Sequence, residues 1–83
     1  MIFVTLYKFR HKLTKSDIDQ ANRVFSGAKT IGVWWTLGRF DAVRVFEAKD
    51  EKEAMKMNMK LEAASTETLV ALDRAEALKL LSS

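Results

Sequence analysis

The chain of 83 residues contains no cysteine and no proline, and only one histidine, one tyrosine and three glycines. Without cysteine, neither a disulfide nor a thiolate metal site can supplement its core. A lone His11 cannot build a histidine cluster, so no metal and no cofactor is expected. No stretch approaches the roughly 20 apolar residues that a membrane span needs. The opening MIFVTLYKFR is apolar but has no positive leader, long hydrophobic run or small-residue cleavage site. These features predict a cytoplasmic protein without a membrane partner. With no proline, repeat or low-complexity linker to divide it, residues 1–83 read as a single domain. A domain so small buries a modest fraction of its surface. With disulfides and metals excluded, association with another subunit is the remaining source of buried area.

Charge of one sign is also scarce. The net charge is +3, and the nearest thing to a basic cluster is YKFRHKLTK, with Lys8, Arg10, His11, Lys12 and Lys15. A nucleic-acid surface needs a broader patch or a recognisable module. This segment reads instead as a solvated strand-to-helix junction with His11 exposed, and a nucleic-acid partner is not expected.

What the chain does have is pattern. IFVTLYKF is rich in β-branched and aromatic residues and predicts a first strand. A helix follows from LTKSDI, with Thr14 as N-cap, Asp17 as its third-position partner, and Leu13 and Ile18 placed to form a hydrophobic staple. Ile18, Ala21, Val24, Phe25 and Ala28 fall on one helical stripe, and Gly27 is placed to end the helix in a left-handed conformation. KTIGVWWTL and DAVRVFEA are strands separated only by GRF, so they must pair as an antiparallel hairpin. KDEKEAMKMNMKLEAA opens with Asp50 and Glu53 at capping-box spacing and continues as a strong helix former. Met55 and Met59 share one face of it, and Met57 falls with Ala54 and Leu61 on another, which reads as flexible packing. TETLVAL is the fourth strand, and DRAEALKLL a final helix with Asp73 as N-cap and Glu76 three residues on. The order βαββαβ is the ferredoxin-like α+β arrangement, a four-stranded antiparallel sheet with two helices on one face, here with a terminal helix added.

Strand alternation sorts the side chains into two rows. Ile2, Val4, Leu6, Ile31, Val33, Val43, Val45 and Leu69, extended by Trp35 and Leu37, suit the face beneath the helices. The other row holds Phe3, Thr5, Tyr7, Phe9, Gly32, Trp34, Thr36, Arg44, Phe46, Thr66 and Thr68. Left open, it would form an apolar patch of the kind that marks an interaction surface. The expected partner is a second copy packed face to face, with any ligand site in the gap between sheets.

TLGRFDAVRVFEAKDEKEA followed by STETLVAL resembles the GYD-domain family of small proteins. Thr36, Leu37, Gly38, Arg39, Asp41, Ala42, Val43, Glu47, Ala48 and Thr66-Glu67-Thr68-Leu69 carry the likeness. Phe40 stands where the family usually has tyrosine, so no phenolic hydroxyl is offered there. The resemblance implies a dimeric α+β barrel, shared with muconolactone-isomerase-like and antibiotic-biosynthesis-monooxygenase-like proteins, and no established activity.

The candidate ligand-binding residues are Tyr7, Trp34, Thr36, Arg44 and Phe46. Arg44 on the bare face must find a partner, either an interface carboxylate or a bound anion. Gly38, Arg39, Phe40 and Asp41 form the turn motif, Gly38 supplying a positive φ and the Asp41 carboxylate accepting backbone N–H groups across the turn. Glu47 reads as the partner of a neighbouring cation. No catalytic residue is assigned. The expected function is a dimer-forming domain that binds a small metabolite or serves in assembly. The alternative is a cofactor-independent isomerase or monooxygenase, which would need an acid or base that the expected cavity face does not offer.

Overall fold

The computed structural model describes residues 1–82. The strands are β1 (Ile2–Phe9), β2 (Lys29–Trp35), β3 (Ala42–Glu47) and β4 (Ala64–Ala71), and the helices are α1 (Lys15–Val24), α2 (Glu51–Met59) and α3 (Arg74–Leu81). The strands form one antiparallel sheet in the order β2-β3-β1-β4, the ferredoxin-like topology.

Short polar residues start each helix because their side chains satisfy amide groups that lack an intrahelical acceptor. Thr14 accepts from the Asp17 amide, and the Asp17 carboxylate accepts in return from the Thr14 amide. Asp50 and Asp73 accept from the amides of Glu53 and Glu76. The end of α1 departs from expectation. Gly38 is the only described residue with positive φ, so Gly27 does not terminate the helix in the left-handed region. The chain leaves α1 through a tight 3-10 turn, Phe25–Gly27, which drives Phe25 into the core.

In β1, β3 and β4 the two faces are the reverse of the sequence-based expectation, whereas Val33, Trp34 and Trp35 of β2 lie on the faces expected of them. Phe3, Thr5, Tyr7, Ala42, Arg44 and Phe46 are buried beneath the helices, while Ile2, Val4, Leu6, Val43 and Val45 are only partly buried. The aromatic row lies inward, where Phe25, Ala54 and Met57 of the helical layer pack against it. α2 buries only Ala54 and Met57, and the large rings fill what these leave. Phe46, fully buried, stacks on Phe3 at 5.6 Å and meets the edge of Phe25 at 5.0 Å. Thr5 fits the same layer because its hydroxyl donates to Asn58 Oδ1 and lies 2.9 Å from the Thr68 hydroxyl. Met57 is buried as its pattern suggests, and Met55 and Met59 are exposed.

A bulge shifts the second strand. Thr30 pairs with Phe46 but Gly32 with Val45, leaving Ile31 as an extra residue. One inserted residue moves everything beyond it to the opposite face. Val33 and Trp35 therefore accompany Arg44 and Ala42 on the helix side, while Trp34 joins Val43 on the open face. The Trp34 ring lies directly over Gly32, occupying the space that a side chain there would need. β2 ends at Trp35, short of the expected Leu37, which is fully exposed. β4 starts at Ala64, two residues earlier than its sequence suggests.

Between β2 and β3, Gly38 adopts φ 110°, where an L side chain would be strained. The Thr36 hydroxyl donates to the Phe40 carbonyl, and the Thr36 amide to that of Asp41. The Asp41 carboxylate turns away from the hairpin. It accepts from the Phe9 amide at 2.8 Å and lies 3.7 Å from Lys8 Nζ, tying the turn to the end of β1. Asp41→Ala is expected to lower stability by about 1–2 kcal/mol through loss of this partly buried bond. Chemical denaturation measures it, and an unchanged midpoint would show that the bond contributes nothing.

Candidate functional site

α1 carries an apolar stripe yet buries none of its residues. Beneath it lies a cavity of about 230 Å³, walled by Leu13, Ile18 and Ala21 from the α1 region and by Phe9, Val33 and Trp35 from the sheet. The floor comes from Tyr7, Ala42 and Ala64, a small core cluster separate from the phenylalanine layer. Trp35 tilts against Phe9 at 5.7 Å. Expected as core, it stays 63% exposed because it forms the rim of this space and no helix covers it.

Arg44 also lines the cavity and is only 6% exposed. Its expected place on the bare face is corrected with the rest of the row. No carboxylate of a described residue lies within its ion-pairing range; the ion pairs among the described residues are Lys8–Asp41 and His11–Asp17. Its partners are neutral. Nε donates to the Tyr7 hydroxyl at 3.1 Å and Nη1 to Thr30 Oγ1 at 2.9 Å. Its guanidinium carbon sits 4.3 Å from the centroid of the Phe25 ring, whose face favours a cation.

Burial pushes the Tyr7 phenol above its ordinary range, and the adjacent Arg44 charge and hydrogen bond only partly oppose this. Because the fold holds this pKa above the unfolded value, the associated stability is present below pH 10.0, the ordinary value, and is lost as pH rises through the folded pKa. Tyr7 is the only tyrosine, so phenolate absorbance reads it directly. The titration midpoint is expected above 10.0, and an ordinary midpoint in the folded protein would contradict the burial.

Of the residues singled out by sequence, the structure brings Tyr7 and Arg44 together in this wall. Trp34 lies on the opposite face of the sheet, Thr36 beyond the end of β2, and Phe46 in the adjoining phenylalanine layer. In the turn, Arg39 stacks over its neighbour Phe40 at 5.1 Å. Glu47 is exposed at the far end of β3, opposite Lys29 in register.

Sequence reasoning missed Asp17 as a wall residue, since its capping role already accounts for it. Its carboxylate also lies 3.0 Å from His11 Nε2. The Thr14 amide and then His11 hold the Asp17 carboxyl below the usual range. It stays ionised and is a poor proton acceptor. The cavity thus offers a mainly apolar lining with the side-chain amides of Gln20 and Asn22, one buried cation and one phenol as hydrogen-bond donors, and a carboxylate already committed to other partners.

Set beside known proteins, residues 8–81 match the family model described as GYD domain. No curated protein matches the chain. No described helix is long and apolar enough to cross a membrane.

Proposed function

The chain belongs to the GYD-domain family, and from its own site we propose that it is a homodimer-forming domain that binds a small molecule in the cavity between α1 and the sheet. The observation that carries this is the unfilled space. An amphipathic helix ordinarily interdigitates with the sheet it covers, whereas Leu13, Ile18 and Ala21 wall a cavity of about 230 Å³. Such a volume lies below the roughly 300–1,000 Å³ of drug-sized sites, so the ligand is small. A cytoplasmic setting belongs to the same reading.

Assembly is supported by the open face. Ile2, Val4, Leu6, Val43 and Val45 form an aliphatic surface, bordered by Trp34 and Leu69, that no helix of the same chain covers. A second copy of that surface is its natural complement, because a twofold axis sets equivalent residues against one another. α3, which buries none of its residues, leaves Leu78, Leu80 and Leu81 exposed as further apolar area for the partner.

Binding is preferred to isomerase or monooxygenase chemistry because the carboxylate in the wall, Asp17, is held low by its hydrogen bonds and is ill-matched to a general base. Amide NMR with small monocyclic fragments tests the binding reading. Shifts are expected at Tyr7, Phe9, Leu13–Ala21 and Trp35. Shifts confined to the outer face of α2, around Met55 and Met59, or none at all, would overturn it.

A further inference from the structure

The cavity's single buried cation narrows the ligand class. Building on the binding reading above, we infer that the site selects a small apolar monocarboxylic acid, its carboxylate held by Arg44 and Tyr7 and its hydrocarbon body lying against Phe9, Ile18 and Trp35. A guanidinium has five N–H donors. One on Nε goes to Tyr7 and one on Nη1 to Thr30, so three remain for a ligand. Tyr7 accepts from Arg44, which leaves its own hydroxyl proton to donate. That phenol is protonated at neutral pH, its ordinary value of 10.0 being raised further by burial. Two neighbouring groups in one wall thus present free donors, and no carboxylate of a described residue lies within ion-pairing range of Arg44.

The energetics favour an anion. A charge only 6% exposed is costly when its direct partners are all neutral. Hydrogen bonds and stacking on Phe25 offset part of this, and a carboxylate would offset more. A planar carboxylate matches the guanidinium fork. One cation balances a single negative charge, so a phosphate dianion would carry an uncompensated charge into an apolar space. The body must be apolar because the rest of the lining is mainly aliphatic and aromatic. Asp17, ionised and engaged by Thr14 and His11, repels a second anionic end and so sets the ligand's direction.

Calorimetric titration of the wild-type protein with benzoate, phenylacetate and hexanoate, against benzyl alcohol and inorganic phosphate, tests the inference. At least one of the acids is expected to bind tenfold or more tightly than benzyl alcohol, and phosphate not to compete. Arg44→Gln should weaken the acid at least tenfold while leaving benzyl alcohol within about twofold, and Tyr7→Phe should weaken the acid severalfold. Equal affinity for acid and alcohol would overturn the charge selection while leaving the cavity as a neutral apolar site. Competition by phosphate would overturn the apolar body. Failure of every organic probe would overturn the binding reading itself. The wild-type comparison of acid with alcohol decides the matter even if Arg44→Gln does not fold.

Discussion

If the chain pairs through its open sheet face as proposed, Val4→Glu is expected to give folded monomers. Val4 lies mid-strand on β1, opposite Val45 on one side and Leu69 on the other, at the centre of the face we assign to assembly. Its side chain points away from the helices, so the substitution leaves the phenylalanine layer intact. In a twofold interface each aliphatic side chain is counted twice, and burying a valine or leucine is worth roughly 1.5–3 kcal/mol. Several such residues per subunit can exceed an association cost commonly put at about 4–15 kcal/mol. A carboxylate at the centre removes that gain and sets two like charges close to the axis. Sedimentation equilibrium at micromolar concentration should give a dimer for the wild-type chain and a monomer for Val4→Glu, with Arg39→Glu at the exposed turn still dimeric. A monomeric wild-type protein, or a dimeric Val4→Glu, would refute the assignment.

Phe46→Ala should have the largest effect on folding. The ring is fully buried between Phe3 and Phe25, and a phenylalanine-to-alanine truncation in such a site costs about 3–5 kcal/mol. At roughly 0.05–0.15 kcal/mol per residue, a chain of this size has about 4–12 kcal/mol in all. The variant should lose more than about 10 °C in Tm, and the deficit should reach the cavity, because Phe25 also carries the cationic face of Arg44. A thermal scan with a shift of only a degree or two would mean that Met57 and Ala54 close the void far better than their packing suggests.

The capped helices, the hairpin and the positive φ of Gly38 could be read from local spacing, because each depends on residues within a few positions of one another. Thr14 with Asp17, and Asp50 with Glu53, are such pairs. The covered face could not be read this way. Alternation separates Phe3, Thr5 and Tyr7 from Ile2, Val4 and Leu6, but both rows are apolar enough to be inside. What decides between them is packing with Phe25, Ala54 and Met57, which come from elements distant in sequence. The bulge at Ile31 was hidden for a related reason: its flanks, Thr30 and Gly32, are ordinary in either phase, and only pairing with β3 reveals the extra residue. Arg44 is legible in the sequence as a charge in an apolar row, but its surroundings depend on which face that row takes. Asp17 gave no separate signal, since a cap and a cavity wall place the same demand on its position.

The inserted Ile31 also has an optical consequence. By shifting the phase of β2, it sends Trp34 to the open face and Trp35 to the rim of the cavity. The chain has two tryptophans, so its intrinsic fluorescence is divided between its two surfaces. With Trp35 replaced by phenylalanine, the remaining indole reports the environment of the sheet face; with Trp34 replaced, it reports the cavity. Adjacent in sequence, the two residues give separate readouts of the proposed self-association and the proposed ligand binding without any attached dye.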